Sequence, residues 1–184
     1  EPWYRGETLI TGIGQGFMTA SPIQLALATG AIANKGNLLT PRVLMHSQSK
    51  DGQSYNESQP QSRRIPIKNI DNWELIIQAM KQTIYGKLGT AKRLNNKLRY
   101  TLAGKTGTAQ VFGLDPEEEY IAENIDEKLR DHALFTAFAP IENPQVAIAI
   151  IVENAGSGSS KAAPLARTLL DDYFNKYGVD PDKI

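Results

Sequence analysis

Two apolar segments joined by a tight turn constrain the fold of this chain most strongly. Residues 132–140 and 145–153 have the composition of β-strands, and Glu142-Asn143-Pro144 between them is typical of a turn. Because the connection is so short, we expect the two strands to pair as an antiparallel hairpin. The second strand contains the run Val146-Ala147-Ile148-Ala149-Ile150-Ile151-Val152, which is apolar throughout, so protein is expected on both of its faces.

Three helices are predicted around this hairpin. The first begins at a capping box, Ser21-Pro22-Ile23-Gln24, and ends at Gly36. The second begins at a similar box, Asp71-Asn72-Trp73-Glu74, and ends at Gly86 and Gly89, and the third spans about residues 160–177. The predicted buried faces consist of Ile23, Leu27 and Ala31 in the first helix, Trp73, Ile76, Ile77, Met80 and Ile84 in the second, and Leu165, Leu169, Leu170, Tyr173 and Phe174 in the third.

These elements predict a mixed α/β (α+β) fold, with an antiparallel sheet of at least three strands and helices packed on its faces. The chain has 184 residues, which is long enough for one domain. The remaining segments are expected to form a loop at 1–20, a short strand at 37–45, a polar and mobile excursion at 46–64, a strand at 100–112, an insertion between strands at 113–131 and a tail at 178–184.

Composition excludes several classes of function. Lys plus Arg and Asp plus Glu each number 20, so no net charge favours nucleic acid or an anionic membrane as a partner. There is no cysteine, which excludes disulfides and thiolate chemistry, and no apolar run approaches the roughly 20 residues of a membrane span. The sequence opens on Glu1-Pro2-Trp3-Tyr4 without a Met, so we expect it to be a piece of a longer protein.

The run Lys105-Thr106-Gly107-Thr108 carries the strongest chemical signal. Strand alternation places Thr106, Thr108 and Gln110 on one face, where two hydroxyls and an amide can bind a carboxylate or a carbonyl. Gly107 lets another backbone approach closely, and Lys105 adds a positive charge for proton transfer. Because Lys105 lies on the opposite face, all of these groups reach one site only at a sheet edge or a twist.

Other motif matches lack the surroundings that their chemistry needs. Gly104-Lys105-Thr106 ends like a phosphate-binding loop but lacks the earlier glycine, and Gly12-Ile13-Gly14-Gln15-Gly16 lacks the third glycine and the preceding strand of a dinucleotide fingerprint. His46 and His132 are in separate segments, and the carboxylates of residues 116–119 are expected to form a solvated face. No cofactor and no metal is therefore expected.

Several sequence blocks, taken together, indicate a protein family. In order, they are Pro2-Trp3-Tyr4-Arg5-Gly6-Glu7-Thr8, Gly12-Ile13-Gly14-Gln15-Gly16, Thr19-Ala20-Ser21-Pro22-Ile23-Gln24, Ala103 through Gly113, Arg130-Asp131-His132, Thr136-Ala137-Phe138-Ala139-Pro140 and Asn143-Pro144-Gln145-Val146-Ala147. This ordered set resembles the C-terminal part of the transpeptidase domain of class B penicillin-binding proteins, and within them the penicillin-binding protein 2 group of the rod-shape (elongation) system. The resemblance implies the penicillin-binding/serine β-lactamase-like transpeptidase fold.

The resemblance also implies roles for the lysine motif. Lys105 would hydrogen-bond towards the catalytic serines and organise proton transfer, while the Thr108 backbone N–H would form half of the oxyanion hole. Thr106 and Thr108 would bind the terminal carboxylate of the substrate or of a penicillin. Gly107 would let the acyl chain lie along the strand, and Gln110 is a further candidate for substrate contact.

The family's other two motifs, Ser-x-x-Lys with the nucleophile and Ser-x-Asn, are expected to be missing from this chain. Ser47-Gln48-Ser49-Lys50 and Ser54-Tyr55-Asn56 match them formally. Both matches lie in the polar 46–64 segment, whereas a nucleophile of this kind needs the start of a buried helix. The chain alone is therefore expected to be unable to form an acyl-enzyme.

By resemblance, the parent protein would be a peptidoglycan D,D-transpeptidase that acts on the D-Ala-D-Ala of a stem peptide and an acceptor amine, and that β-lactams inhibit. It would lie at the periplasmic face of the bacterial inner membrane, held by an anchor outside this chain, and would work with a membrane glycosyltransferase. Two alternatives remain open. One is a non-catalytic sensor or interaction module of the penicillin-binding type, and the other is a D,D-carboxypeptidase or β-lactamase, which uses water as the acceptor.

Overall fold

The computed structural model of the chain describes residues 2–44, 46–56, 61–111 and 125–178. Within these ranges the helices are α1 (Arg5–Gly12), α2 (Pro22–Ala33), α3 (Asp71–Tyr85) and α4 (Ala162–Tyr177). The strands are β1 (Asn37–Leu39), β2 (His46–Gln48), β3 (Ser54–Asn56), β4 (Ser62–Arg64), β5 (Ala103–Ala109), β6 (His132–Ala139) and β7 (Val146–Val152).

The centre of the fold is an antiparallel sheet with the strand order β5-β6-β7. The predicted hairpin of β6 and β7 is confirmed, with Thr136 opposite Ala149, and β5 pairs with the other edge of β6, with Lys105 opposite Thr136. The sheet and its packed helices confirm the predicted fold class.

Helices cover both faces of this sheet. On one face Phe135 packs in a cluster with Ala166, Leu170 and other buried residues of α4. On the other face Phe138 packs with Ile77 and other residues from α2 and α3. The strand β7 contacts α2 and α4, but its side chains are only half-buried, because it is an edge strand of the described sheet.

The start of α2 agrees with the predicted capping box. The Ser21 hydroxyl accepts from the Gln24 backbone N–H at 3.4 Å, and the Gln24 side chain accepts from the Ser21 N–H at 2.8 Å. The predicted buried face is partly wrong, because Ile23 is exposed and the buried residues Thr29, Ala31 and Ala33 all lie in the C-terminal half of the helix. That half of α2 is therefore the part that packs into the protein.

The helix α3 has most of its predicted buried stripe, since Trp73, Ile77, Met80 and Ile84 are buried while Ile76 is 39% exposed. The predicted box of Asp71 and Glu74 does not form. The helix starts one residue earlier than that box requires, with Ile70 at the N-cap, and Asn69 Oδ1 accepts from the Asp71 N–H at 2.9 Å. Glu74 instead pairs with Lys35 at 3.0 Å.

The orientation of α4 differs from the prediction. Leu165 and Leu169 are each about half exposed, at 50% and 51%, although both were expected on the inner face. Small side chains let this helix approach the sheet closely, and the leucines beside them consequently face outward. The residues that α4 buries are Ala162, Ala163, Ala166, Leu170 and Phe174.

The prediction of a loop over residues 1–20 is wrong, because α1 occupies Arg5–Gly12. The Glu7 carboxylate accepts from the Tyr4 backbone N–H at 2.7 Å and so caps the helix start. The closely spaced glycines lie at its end, where Gly14 and Gly16 adopt positive φ values of 80° and 64°. The glycine pattern therefore indicates the turn that follows a short helix.

The strand predicted at 37–45 is shorter than expected, since β1 ends two residues before Pro41, which lacks the N–H that a ladder requires. In the polar 46–64 segment, β2 pairs with β3, and β4 pairs with β1. The described side chains of this segment are exposed.

Two predicted segments lie wholly or mostly outside the described residues. They are the 113–131 insertion, of which most is outside, including the acidic 116–119 run, and residues 179–184 of the tail. No helix in the described ranges is long and apolar enough to cross a membrane.

Candidate active site

The lysine motif lies on β5, which is an edge strand of the described sheet. Its inner neighbour β6 holds Gly107 opposite Leu134 and Thr108 opposite Ala133. Lys105 and Thr108 are exposed, while Thr106 and Gly107 are half-buried. The motif therefore lies at a sheet edge, which is the position where Lys105 and the two threonines can reach one site from opposite faces of the strand.

The backbone of β5 presents alternate residues to this edge. In an antiparallel ladder the N–H and C=O of one residue point to the same side, and successive residues alternate. The Thr108 carbonyl accepts from the Gln15 side chain outside the sheet at 2.8 Å, so the Thr108 N–H points to the open edge as well. Thr106, two residues earlier, shares this orientation. The N–H groups of Thr106 and Thr108 are thus directed away from β6.

Lys105 reaches the same edge from the other face of the strand. Its Nζ donates to the carbonyl oxygen of the adjacent Thr106, which brings the ammonium beside the outward-facing backbone. Lys105 also lines an apolar cleft of about 510 Å³ between α2 and α3, together with Leu25, Ile32, Met80 and other residues. The lysine therefore borders both this cleft and the open edge.

The threonine side chain at position 106 has a partner that sequence reasoning did not find. The Oγ1 atoms of Thr90 and Thr106 are 2.9 Å apart, and either hydroxyl can be the donor. Thr90 lies in the connection after α3, 16 residues before its partner. No periodicity or motif in the sequence links the two positions, so the contact becomes visible only in the fold.

A backbone does lie close to Gly107, but it belongs to the same chain, and the glycine that this approach requires is Gly158. A Cβ atom added at Gly158 would overlap the carbonyl oxygens of Gly107 and Leu134. The Gly158 carbonyl accepts from the Ala163 N–H at 2.9 Å, so the loop before α4 lies against this part of the sheet. One face of Gly107 is thus covered by the protein itself.

Gln110 follows directly after β5 and is exposed. Its backbone N–H donates to Gln15 Oε1 at 3.4 Å, and Gln15 Nε2 is the donor to Thr108. The sequence singled out Gln15 only as part of a glycine-rich block. Its contact with the lysine motif spans 93 residues, a separation that one sequence gives no means of bridging.

The formal matches to the other two motifs lie on a different sheet. Ser47 of the first match is on β2, opposite Tyr55 of the second match on β3, and this pair of strands is separate from β5. Ser47 and Lys50 are both exposed, and neither lies on a helix.

The two histidines lie on different sheets. His46 is on β2, while His132 begins β6 and accepts from the Asn154 N–H through Nδ1 at 2.9 Å. Within the described ranges no cluster of three His, Cys, Asp or Glu side chains could hold a metal ion.

Comparison with known proteins places this geometry in context. The sequence model of one protein family, the penicillin-binding protein transpeptidase domain, matches residues 1–171. The peptidoglycan D,D-transpeptidase MrdA of Escherichia coli strain K12 is 43% identical over 171 residues, which cover 93% of this chain and 27% of that protein. The chain thus spans about a quarter of the length of this curated relative.

Solved structures agree with the sequence comparison. Pseudomonas aeruginosa PBP2 in complex with WCK 5153 is 41% identical with a TM-score of 0.73, and the match covers 95% of this chain and 35% of that one. PBP2 of Helicobacter pylori, solved in complex with MreC, is 31% identical with a TM-score of 0.75, and the match covers 96% and 29% of the two chains.

Proposed function

The chain belongs to the penicillin-binding protein transpeptidase family, and on that premise we propose that it forms the Lys-Thr-Gly wall of a peptidoglycan D,D-transpeptidase active site. The enzyme cross-links stem peptides through a serine acyl-enzyme. The nucleophilic serine comes from a part of the protein outside these 184 residues.

One observation carries the proposal, namely the open edge of β5. The Thr108 carbonyl is engaged from outside the sheet, so the Thr108 N–H points outward, as an oxyanion-hole donor must. Thr106 and Lys105 lie beside it on the same strand. The edge therefore combines a directed N–H, hydroxyl groups and a cation within four consecutive residues.

Each residue of the motif has a role in this reaction. The serine attacks the carbonyl of the penultimate D-alanine, and the negative charge that forms on the carbonyl oxygen is stabilised by the Thr108 N–H. Thr106 and Thr108 bind the terminal carboxylate, and Lys105 hydrogen-bonds towards the serines and helps to organise proton transfer. The acyl chain lies along the strand at Gly107, with Gln110 as a further contact. D-Alanine leaves, and the acceptor amine then attacks the ester and releases the cross-linked product.

The wider setting of the enzyme is part of the same proposal. The protein acts at the periplasmic face of the bacterial inner membrane, in the synthesis that maintains rod shape, together with a membrane glycosyltransferase. β-Lactams acylate the same serine, because they present a reactive carbonyl and a carboxylate in the positions of the natural substrate. The likeness to transpeptidases that act on peptidoglycan supports this setting.

The test is acylation of the full-length protein that carries this sequence. We expect a labelled penicillin to give a stoichiometric adduct, and peptide mapping to locate the adduct outside residues 1–184. A donor peptide ending in D-Ala-D-Ala should then yield a cross-linked product when an amine acceptor is present. Absence of any adduct would favour a non-catalytic module, and release of D-alanine without cross-linking at saturating amine would indicate a carboxypeptidase.

A further inference from the structure

Gln15 closes part of the substrate-facing edge of β5. Its side-chain Nε2 donates to the Thr108 carbonyl at 2.8 Å, and its Oε1 accepts from the Gln110 N–H at 3.4 Å. A carboxamide has the same donor and acceptor as a backbone peptide group. Gln15 therefore supplies the donor and the acceptor that the backbone N–H and C=O of one residue in a neighbouring strand would supply.

The loop that carries Gln15 is itself held in place. The Gln15 N–H donates to the Ile10 carbonyl near the end of α1 at 3.1 Å, and the Gln15 carbonyl accepts from the Met18 N–H at 3.3 Å. The flanking residues Gly14 and Gly16 have positive φ, which glycine adopts without strain. The side chain is half-buried. These contacts define the direction in which the carboxamide leaves the loop.

This arrangement divides the open edge into two parts. The Thr108 carbonyl and the Gln110 N–H, which both face outward, are already bound by Gln15. The N–H groups of Thr106 and Thr108 lie on the part that Gln15 leaves accessible. A peptide that adds to the edge of β5 can therefore pair only as far as the Thr108 N–H.

We propose that Gln15 is a positioning residue that fixes the strand end at Thr108 and thereby aims the Thr108 N–H at the developing oxyanion. This inference rests on the proposed function. When the carboxamide is lost, the strand end at 108–110 loses two hydrogen bonds and the donor is no longer held in one direction. Removal of an oxyanion-hole donor lowers turnover by about 10²–10³-fold, so its misorientation is expected to lower the acylation rate by roughly 10-fold.

The sharpest variant is Gln15→Glu in the full-length protein. Glutamate keeps the size of the side chain and the acceptor for Gln110, but it has no donor for the Thr108 carbonyl. We expect the rate constant for acylation by a fluorescent penicillin, counted per titratable site, to fall roughly 10-fold, while the dissociation constant of the non-covalent complex changes less. Gln48→Glu, at an exposed position on β2, introduces the same charge elsewhere and is expected to retain the rate of the unaltered protein.

A second readout does not depend on activity. In Gln15→Ala the Gln110 amide loses its acceptor, so hydrogen exchange at that amide should accelerate while exchange in the core strand β6 stays unchanged. If Gln15 only supports folding, the number of titratable sites falls but the rate per site does not, and the inference is overturned. Unchanged exchange at Gln110 overturns it as well.

Failure of the proposed function can be distinguished from failure of the role proposed for Gln15. If the unaltered full-length protein takes no label, the proposed function fails and the role of Gln15 falls with it. If the unaltered protein is labelled and Gln15→Glu reacts at the same rate per site, only the role of Gln15 is refuted.

Discussion

Gly158 lies against the backbone of Gly107, so that a side chain at position 158 would overlap the carbonyl oxygens of Gly107 and Leu134. Both oxygens belong to paired strands, and neither can move without disturbing the ladder. We expect Gly158→Ala to lower the free energy of unfolding by about 1–3 kcal/mol, as overpacking does, measured by chemical denaturation. Gly6→Ala is the matched control, because it adds a methyl group in open space on α1 and should be neutral or slightly stabilising.

The orientation of α4 can be tested with two adjacent leucines. Leu170 is 1% exposed and packs in the core cluster, whereas Leu169 is 51% exposed. Leu170→Ala should therefore cost about 2–5 kcal/mol, and Leu169→Ala less than about 0.5 kcal/mol. Equal losses in a denaturation experiment would mean that α4 is rotated relative to the orientation described above.

Tyr100 should make stability depend on alkaline pH. Its hydroxyl donates to Asp171 Oδ1 at 2.9 Å, and burial, together with that carboxylate, raises the pKa of Tyr100 above its ordinary value. An unfolded tyrosine ionises near pH 10, while the folded one keeps its proton to higher pH. The stabilisation is complete below about pH 10 and decreases as the pH rises above it, because the unfolded state then binds fewer protons.

The variant Tyr100→Phe separates the contribution of the hydrogen bond to stability from that of tyrosine ionisation. At pH 7 the variant should lose about 1 kcal/mol through the missing hydrogen bond, and its stability should fall less steeply than that of the unaltered chain above about pH 10. Denaturant titrations on both sides of that pH measure the slope. Tyr177→Phe, at an exposed position, is the control. An unchanged slope in Tyr100→Phe would contradict the linkage.

Thr90 should matter for ligand binding through Thr106. The two hydroxyls are 2.9 Å apart, so Thr90→Val leaves the Thr106 side chain without this partner. In the full-length protein we expect penicillin affinity to weaken by about 3- to 10-fold, which corresponds to one net hydrogen bond of about 1 kcal/mol. Thr90→Ser keeps the hydroxyl and should restore the affinity. If serine fails to do so, the effect comes from packing of the methyl group.

The isolated 184-residue chain is expected to form no acyl-enzyme. Its Ser-x-x-Lys match at Ser47 lies on an exposed strand, without the helix that brings serine and lysine together one turn apart. A mass spectrum after incubation with labelled penicillin should show the unmodified mass. A stoichiometric adduct would refute this expectation and would make Ser47 a candidate nucleophile.

The sequence predicted well the features that depend on neighbouring residues. The β6–β7 hairpin follows from two apolar runs and a short turn, and the Ser21 capping box needs only four residues. The inner face of α4 was only partly predicted, because both its leucines and its alanines have helical spacing. Which of them faces inward depends on how closely the helix approaches the sheet. The contacts of Gln15 with Thr108 and of Thr90 with Thr106 join distant segments, and nothing in their local sequence marks them.

The alternation along β5 makes the site sensitive to the length of the chain as well as to its composition. Deletion of Gly104 would shift the residues that follow it by one position, so that peptide groups now bonded to β6 would face outward and those now facing outward would turn to β6. All four residues of the Lys-Thr-Gly-Thr run would remain while the Thr108 N–H pointed into the sheet. This deletion would thus keep the motif in the sequence but remove the outward-facing N–H that the proposed function requires.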